Sequence, residues 1–106
     1  MHEGYTNFET WTIALALDNY RELYDLSRAI ARLAEKDTKK APQVLSGIWT
    51  RKEAARYLLA DTLKEYFEIR AEDCFDLPAP FADLLSGALS SVNWGEIAQE
   101  LLEGKE

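Results

Sequence analysis

A chain of 106 residues, 47% of them hydrophobic, with a net charge of −7 and one cysteine, is expected to fold as one domain around one core, and it has no means of forming an intrachain disulfide or a cysteine-based metal cluster. The charge is lopsided: residues 1–59 hold nine Lys/Arg against eight Asp/Glu, residues 60–106 three against eleven. Besides keeping the chain in solution, an acidic excess repels nucleic acid and anionic membranes and favours basic partners through steered association.

Residues 1–4 lack the basic and apolar regions of a leader, and no apolar run approaches the ~18 residues of a membrane span, so a cytoplasmic protein with no membrane partner is expected. Residues 1–5 should fray. Thr6 precedes Glu9 by three, the spacing of a capping box, which starts a first helix near residue 7. Beyond it Phe8, Trp11, Ile13, Ala14, Leu15, Ala16 and Leu17 leave only Thr10 and Thr12 as polar breaks, and a helix apolar all round is normally central and buried.

Asn19 with Glu22 repeats the capping grammar and opens a second helix from Tyr20 to about Lys36, with Leu23, Leu26, Ile30 and Leu33 on its inner face. Residues 37–50 form a connecting segment broken at Pro42. Near its end Ile48 and Trp49 admit two readings: a staple onto Ala54 or Tyr57, or an exposed aromatic anchor of the kind that dominates interfaces.

Thr50 with Glu53 starts the longest helix, Arg51 to about Ala71, with Ala55, Leu58, Leu59, Thr62, Leu63, Tyr66 and Phe67 at helical spacing. Residues 72–80 contain two prolines and no periodicity, a loop. A fourth helix carries Phe81, Leu84, Leu85, Ala88, Leu89 and Val92, and Asn93 with Glu96 starts a fifth, strengthened by Val92 and Ile97 in staple positions. Residues 104–106 should fray. No alternating run reads as a strand. The expectation is an all-α, single-domain compact bundle of four to five helices spanning 1–106, with the apolar N-terminal helix at its centre.

Catalytic material is thin. His2, the sole histidine, sits in the terminal segment, and the carboxylate beside Cys74 disfavours its thiolate. The five glycines form no phosphate loop. No catalytic residue, cofactor or metal is therefore expected, and the chain reads as a non-enzyme.

The carboxylates offer one ordered arrangement. Asp61, Glu65, Glu68 and Glu72 are spaced by four, three and four, which lines them along one helix face, and Asp73 and Asp76 extend the row into the loop. The ordinary reading is a solvated face. The sharper one is a row that mimics nucleic-acid phosphates and occupies a basic groove. A metal reading lacks the Glu-x-x-His pairs of helical di-metal sites. On the second helix Arg28, Arg32 and Lys36, followed by Lys39 and Lys40, make a basic side, interrupted by Asp25, Glu35 and Asp37. A direct nucleic-acid binder shows a clearer basic excess.

Thr6-Asn7-Phe8-Glu9-Thr10-Trp11 continuing through Ala14-Leu15-Ala16-Leu17-Asp18-Asn19, then Ala60-Asp61-Thr62-Leu63-Lys64-Glu65, then Leu84-Leu85, Ala88-Leu89 and Val92-Asn93-Trp94-Gly95-Glu96-Ile97-Ala98 together resemble a family of small acidic all-α proteins of phages, plasmids and other mobile elements. The chain departs from that pattern at Ala16, where the family has a larger aromatic, and in its long 37–50 connection. The resemblance implies genomic company: small acidic proteins of such elements are often inhibitors of host defence, of the anti-CRISPR or anti-restriction type. The expectation is thus a protein-binding module that occludes a basic, nucleic-acid-binding surface of a host protein in the host cytoplasm, with homodimerisation compatible. The alternative is a small nucleic-acid-binding or regulatory protein that uses the basic side of the second helix.

Overall fold

Thr50 and Glu53 close the start of the longest helix reciprocally: the Thr50 amide donates to Glu53 Oε1 (2.9 Å) and the Glu53 amide to Thr50 Oγ1 (3.1 Å). This is the full capping box that their spacing announces. In the computed structural model, which describes residues 2–38, 46–47, 49–72 and 79–103, five helices follow one another: α1 (Phe8–Asn19), α2 (Arg21–Asp37), α3 (Arg51–Glu72), α4 (Ala79–Ser90) and α5 (Trp94–Glu103). Among the described residues there is no strand beyond an isolated His2–Tyr5 bridge. The all-α helical bundle is as expected.

Its centre is not. The hub is α3, which packs against α2, α4 and α5, whereas α1 packs against α2 and α5. Leu59 and Leu63 of α3 are fully buried, and with Ala14, Leu17, Ala31, Ala34, Val92, Trp94, Ile97 and Ala98 they form the core. Burial of one such leucine contributes about 1.5–3 kcal/mol. The apolar side chains of α1 are too many for its one inward face: Phe8 remains 56% and Leu15 44% exposed.

The inner face of α2 also differs from the expected one. Ser27, Ala31, Ala34 and Thr38 are buried, Leu23, Leu26 and Ile30 are only partly so, and Leu33 is exposed. A row of small residues thus forms the buried face of α2, and the larger leucines fall to its flank. Of residues 80–90 of α4 none is buried; Leu85 and Leu89 are half-covered while Phe81 and Leu84 stand open.

Two of the four expected caps are replaced. The cap of α1 is Asn7, whose Oδ1 accepts the Thr10 amide (2.9 Å), and the Thr6 amide donates to Glu96 Oε1 (3.0 Å) instead of Glu9. Asn19 donates back to the Leu15 carbonyl (2.8 Å), so α2 starts after Tyr20 with no side-chain cap. At α5 the Glu96 amide reaches Asn93 Oδ1 (3.1 Å) as expected.

The caps of α1 and α5 lock the two helices together. Thr10, wholly buried, donates its hydroxyl to Asn7 Oδ1 (2.6 Å) and accepts the Asn93 amide (2.8 Å), and Asn7 Nδ2 donates to the Ser91 carbonyl (2.7 Å). Orphan amides at the two helix starts are satisfied partly by each other's side chains. The segment before α1, expected as a loose end, closes a turn in which the His2 amide donates to the Tyr5 carbonyl (2.7 Å) and the Tyr5 amide to the His2 carbonyl (2.8 Å). Glu3 (φ 51°) and Gly4 (φ 87°) both lie in the left-handed region, as a type I′ turn demands.

Of the 37–50 connection, Asp37 ends α2 and Thr38 caps it, and Trp49 leads into α3. The expectations that fall on residues 39–45, 48, 73–78 and 104–106 lie outside the described residues.

Candidate functional site

Asp61, Glu65, Glu68 and Glu72 are all exposed and lie on the side of α3 turned away from Leu59 and Leu63. The row follows from local geometry alone: in a continuous helix a 4-3-4 spacing stays on one face, and eleven residues of rise make it about 16 Å long. None of the four takes part in an ion pair or side-chain hydrogen bond within the described residues. Asp73 and Asp76, expected to extend the row, and Ile48, Lys39 and Lys40 lie outside the described residues.

Apolar side chains share that outer face. Leu58 precedes Asp61 by three and Ile69 follows Glu65 by four, and both are exposed, Ile69 by 51%. Apolar spacing groups Leu58 with Leu59 and Leu63 and leaves Ile69 out; their offsets from the carboxylates carry the signal that puts them on the outer side. At the N-terminal end of the face Trp49 stacks on exposed Tyr57, ring centroids 4.6 Å apart and planes 21° from parallel. Trp49 is half-buried, so the staple reading holds on Tyr57, and the pair presents one aromatic platform.

The basic side of α2 is partly spent on structure. Arg28 donates to Asp18 Oδ1 (2.8 Å) and to the Leu17 carbonyl (2.9 Å), and its guanidinium lies 4.0 Å from the Tyr24 ring centroid. It thereby caps the C-terminal end of α1, where unsatisfied carbonyls concentrate negative charge. Arg32 and Lys36 remain exposed. The expected 28-32-36 row is thus reduced to two.

Titratable groups elsewhere serve packing. Tyr5 Oη donates to Glu100 Oε1. Burial, that bond and the nearby Glu100, Asp18 and Glu96 carboxylates push the phenol well above its ordinary value of 10.0. His2 lies edge-on to Phe8 (5.3 Å) and tilted against Trp11 (4.7 Å), in an aromatic cluster. Among the described residues no group of three His, Cys, Asp or Glu is placed to hold a metal ion.

A cavity of about 720 Å³ is an open groove between the end of α2, the first turns of α3 and the end of α5. Arg51, Lys52 and Arg56 line it with Glu35, Glu53 and Glu103, so the two signs balance, and Arg56 Nε is bound to the Gly95 carbonyl (3.2 Å). A smaller cavity of about 210 Å³ lies beside Asp18, Arg28 and Glu100. Neither pairs a nucleophile with a base. No helix among the described residues is long and apolar enough to cross a membrane. No protein-family model, curated protein or solved structure matches the chain.

Proposed function

We propose that the chain is a non-enzymatic binding module that covers a basic, nucleic-acid-binding surface of another protein with the outer face of α3. The observation that carries this reading is the row Asp61, Glu65, Glu68 and Glu72, exposed and without an internal cation partner among the described residues. Successive carboxylates along one face repel one another, and a row of Lys or Arg that normally grips phosphates offsets that repulsion. Leu58, Ile69 and the Trp49–Tyr57 platform supply apolar area beside the charges, the combination of anchor and polar rim that interfaces use.

The resemblance to proteins of phages and mobile elements gives the biological form of the proposal: an inhibitor of a host nucleic-acid-handling defence complex, of the anti-CRISPR or anti-restriction type, acting by occlusion. Association should be steered by charge and weaken as salt shortens the Debye length to ~8 Å and below.

The test is affinity capture from host lysate with the wild-type chain and with Asp61→Asn, Glu65→Gln, Glu68→Gln and Glu72→Gln combined. The expected result is loss of one captured nucleic-acid-binding protein in the variant with its helical circular dichroism unchanged, and displacement of that protein by duplex DNA or RNA. Equal capture by both chains removes the row from consideration. The chain alone should not shift DNA or RNA in a low-salt mobility assay.

A further inference from the structure

Arg51, Lys52 and Arg56 occupy the first two turns of α3 and line the groove of about 720 Å³ between this end of α3, the end of α2 and the end of α5. In formal charge Glu35, Glu53 and Glu103 balance them, but in partners they do not. Glu53 Oε1 already accepts the Thr50 amide (2.9 Å), Glu103 Oε2 accepts Gln99 Nε2 (2.9 Å), and Glu35 is engaged as well. Among the described residues none of the three cations has an ion pair. Arg51 Nη2 reaches the Glu35 carbonyl (3.3 Å), Arg56 Nε the Gly95 carbonyl (3.2 Å), and Lys52 has neither hydrogen bond nor ion pair. The surplus in the groove is of cationic donors.

The two guanidinium groups are thus held in place without being neutralised. A carbonyl fixes the position of a guanidinium but carries no net charge, so the remaining N–H groups stay available to an anion. Gly95 contributes the room: a Cβ there would come within 3.2 Å of Arg56 Nη2, and its absence lets the side chain lie across the start of α5. Beside the cations, Ala55 and Leu102 add apolar surface.

The geometry points to a binding site for a small organic phosphate, a phosphomonoester whose head lies on Arg51, Lys52 and Arg56 and whose carbon body lies on Ala55 and Leu102. Guanidinium forks match phosphate oxygens bidentately, and three cations suit a head of charge about −1.5 to −2 better than a singly charged carboxylate. The volume asks for more than the head. A groove of about 720 Å³ falls in the ~300–1,000 Å³ range of pockets for organic ligands, whereas one water takes ~30 Å³. The net charge of −7 does not forbid an anion here: it gathers in residues 60–106, and beyond the ~8 Å Debye length of physiological salt it is screened. The groove lies where α3 meets α2 and α5, and the carboxylate row on the side of α3 turned away from the core, so this inference stands apart from the one drawn from the row.

Isothermal titration calorimetry of the full chain with hexyl phosphate, hexanoate, hexanol and inorganic phosphate tests the proposal. Hexyl phosphate should bind one-to-one with a dissociation constant below about 1 mM, hexanoate and inorganic phosphate each about tenfold or more weakly, and hexanol not at all. Lys52→Gln, at an exposed position without a partner, should raise the dissociation constant for hexyl phosphate by about tenfold, and Lys52→Gln with Arg56→Gln by about a hundredfold, with circular dichroism unchanged. Arg32→Gln, which removes an equally exposed cation outside the groove, should change nothing. Absence of hexyl phosphate binding up to about 10 mM overturns the proposal. So does binding that survives the loss of both cations, or that Arg32→Gln weakens as much. Hexanoate or inorganic phosphate bound as tightly as hexyl phosphate overturns the assigned ligand class.

Discussion

The buried hydroxyl of Thr10 accepts the backbone amide of Asn93 at 2.8 Å, across 83 residues of sequence, and so ties the first turn of α1 to the first turn of α5. Thr10→Val keeps the shape but leaves the Asn93 amide without its partner and takes from Asn7 Oδ1 one of its two bonds, the one from the Thr10 amide remaining. A buried polar group stranded in this way costs about 1–3 kcal/mol. Urea unfolding should show a loss of that size in Thr10→Val, against about 1 kcal/mol for removal of the exposed cap in Thr50→Ala. A Thr10→Val variant as stable as wild type would falsify the assigned role of this bond.

The carboxylate row should cost the isolated chain a little stability. Asp61–Glu65, Glu65–Glu68 and Glu68–Glu72 are like-charge neighbours at i,i+4 or i,i+3, each unfavourable by about 0.2–0.5 kcal/mol at low ionic strength. The four-fold neutralised variant should therefore melt slightly higher than wild type in low salt, and the difference should vanish in high salt. Lower melting of the variant in both buffers would mean that the carboxylates make stabilising contacts.

Arg28 and Arg32 occupy successive turns of one helix and should behave differently. Arg28→Ala loses bonds to a carboxylate and to the Leu17 carbonyl at a partly buried site, a cost of about 1–3 kcal/mol. Arg28→Lys should recover only part of it, because an ammonium lacks the planar fork that reaches both acceptors. Arg32→Ala should stay within about 0.5 kcal/mol of wild type. Equal effects at the two positions, measured by thermal or urea unfolding, would contradict the cap.

Tyr5 should govern part of the alkaline limb. Its pKa is raised in the folded chain, by burial first and then by the bond to Glu100, so the folded state holds the phenol proton more tightly than the unfolded state does. That contribution is complete below the unfolded value of 10.0 and is lost as pH rises towards the folded value. Stability should thus fall with rising pH above 10.0 more steeply in wild type than in Tyr5→Phe. Tyrosinate absorbance offers the second measurement: one of the five tyrosines should ionise only after the rest.

Helix positions were legible from the chain because apolar period and capping spacing are local. Thr50 with Glu53 and Asn93 with Glu96 fall into this class, and so does the acidic face, whose four carboxylates need only one unbroken helix to line up. Thr6 with Glu9 shows where that reasoning stops. The spacing fits a capping box, yet Asn7 stands next to Thr6 and competes as cap, and Glu96 arrives from the far end of the chain to take the Thr6 amide. The same holds for Arg28, whose partner Asp18 sits in the preceding helix, so that a basic row on paper became a cap in space. The place of α1 at the side rather than the centre depends on how much surface α3 and α5 leave free, a property of volumes and not of pattern.

The α1–α5 lock has a consequence for synthesis. As the chain leaves a ribosome, α1 emerges well before the Asn93 amide and the Glu96 carboxylate that satisfy Thr10 and Thr6, which follow 83 and 90 residues later. Nascent α1 must wait with its buried-to-be hydroxyl and its exposed Phe8, Trp11 and Leu15 unshielded, since contacts this distant in sequence form only after the loop between them can close. The fold therefore cannot close until residues 93–96 have emerged, and during the wait a holdase-type chaperone would find its apolar binding segment in residues 8–17.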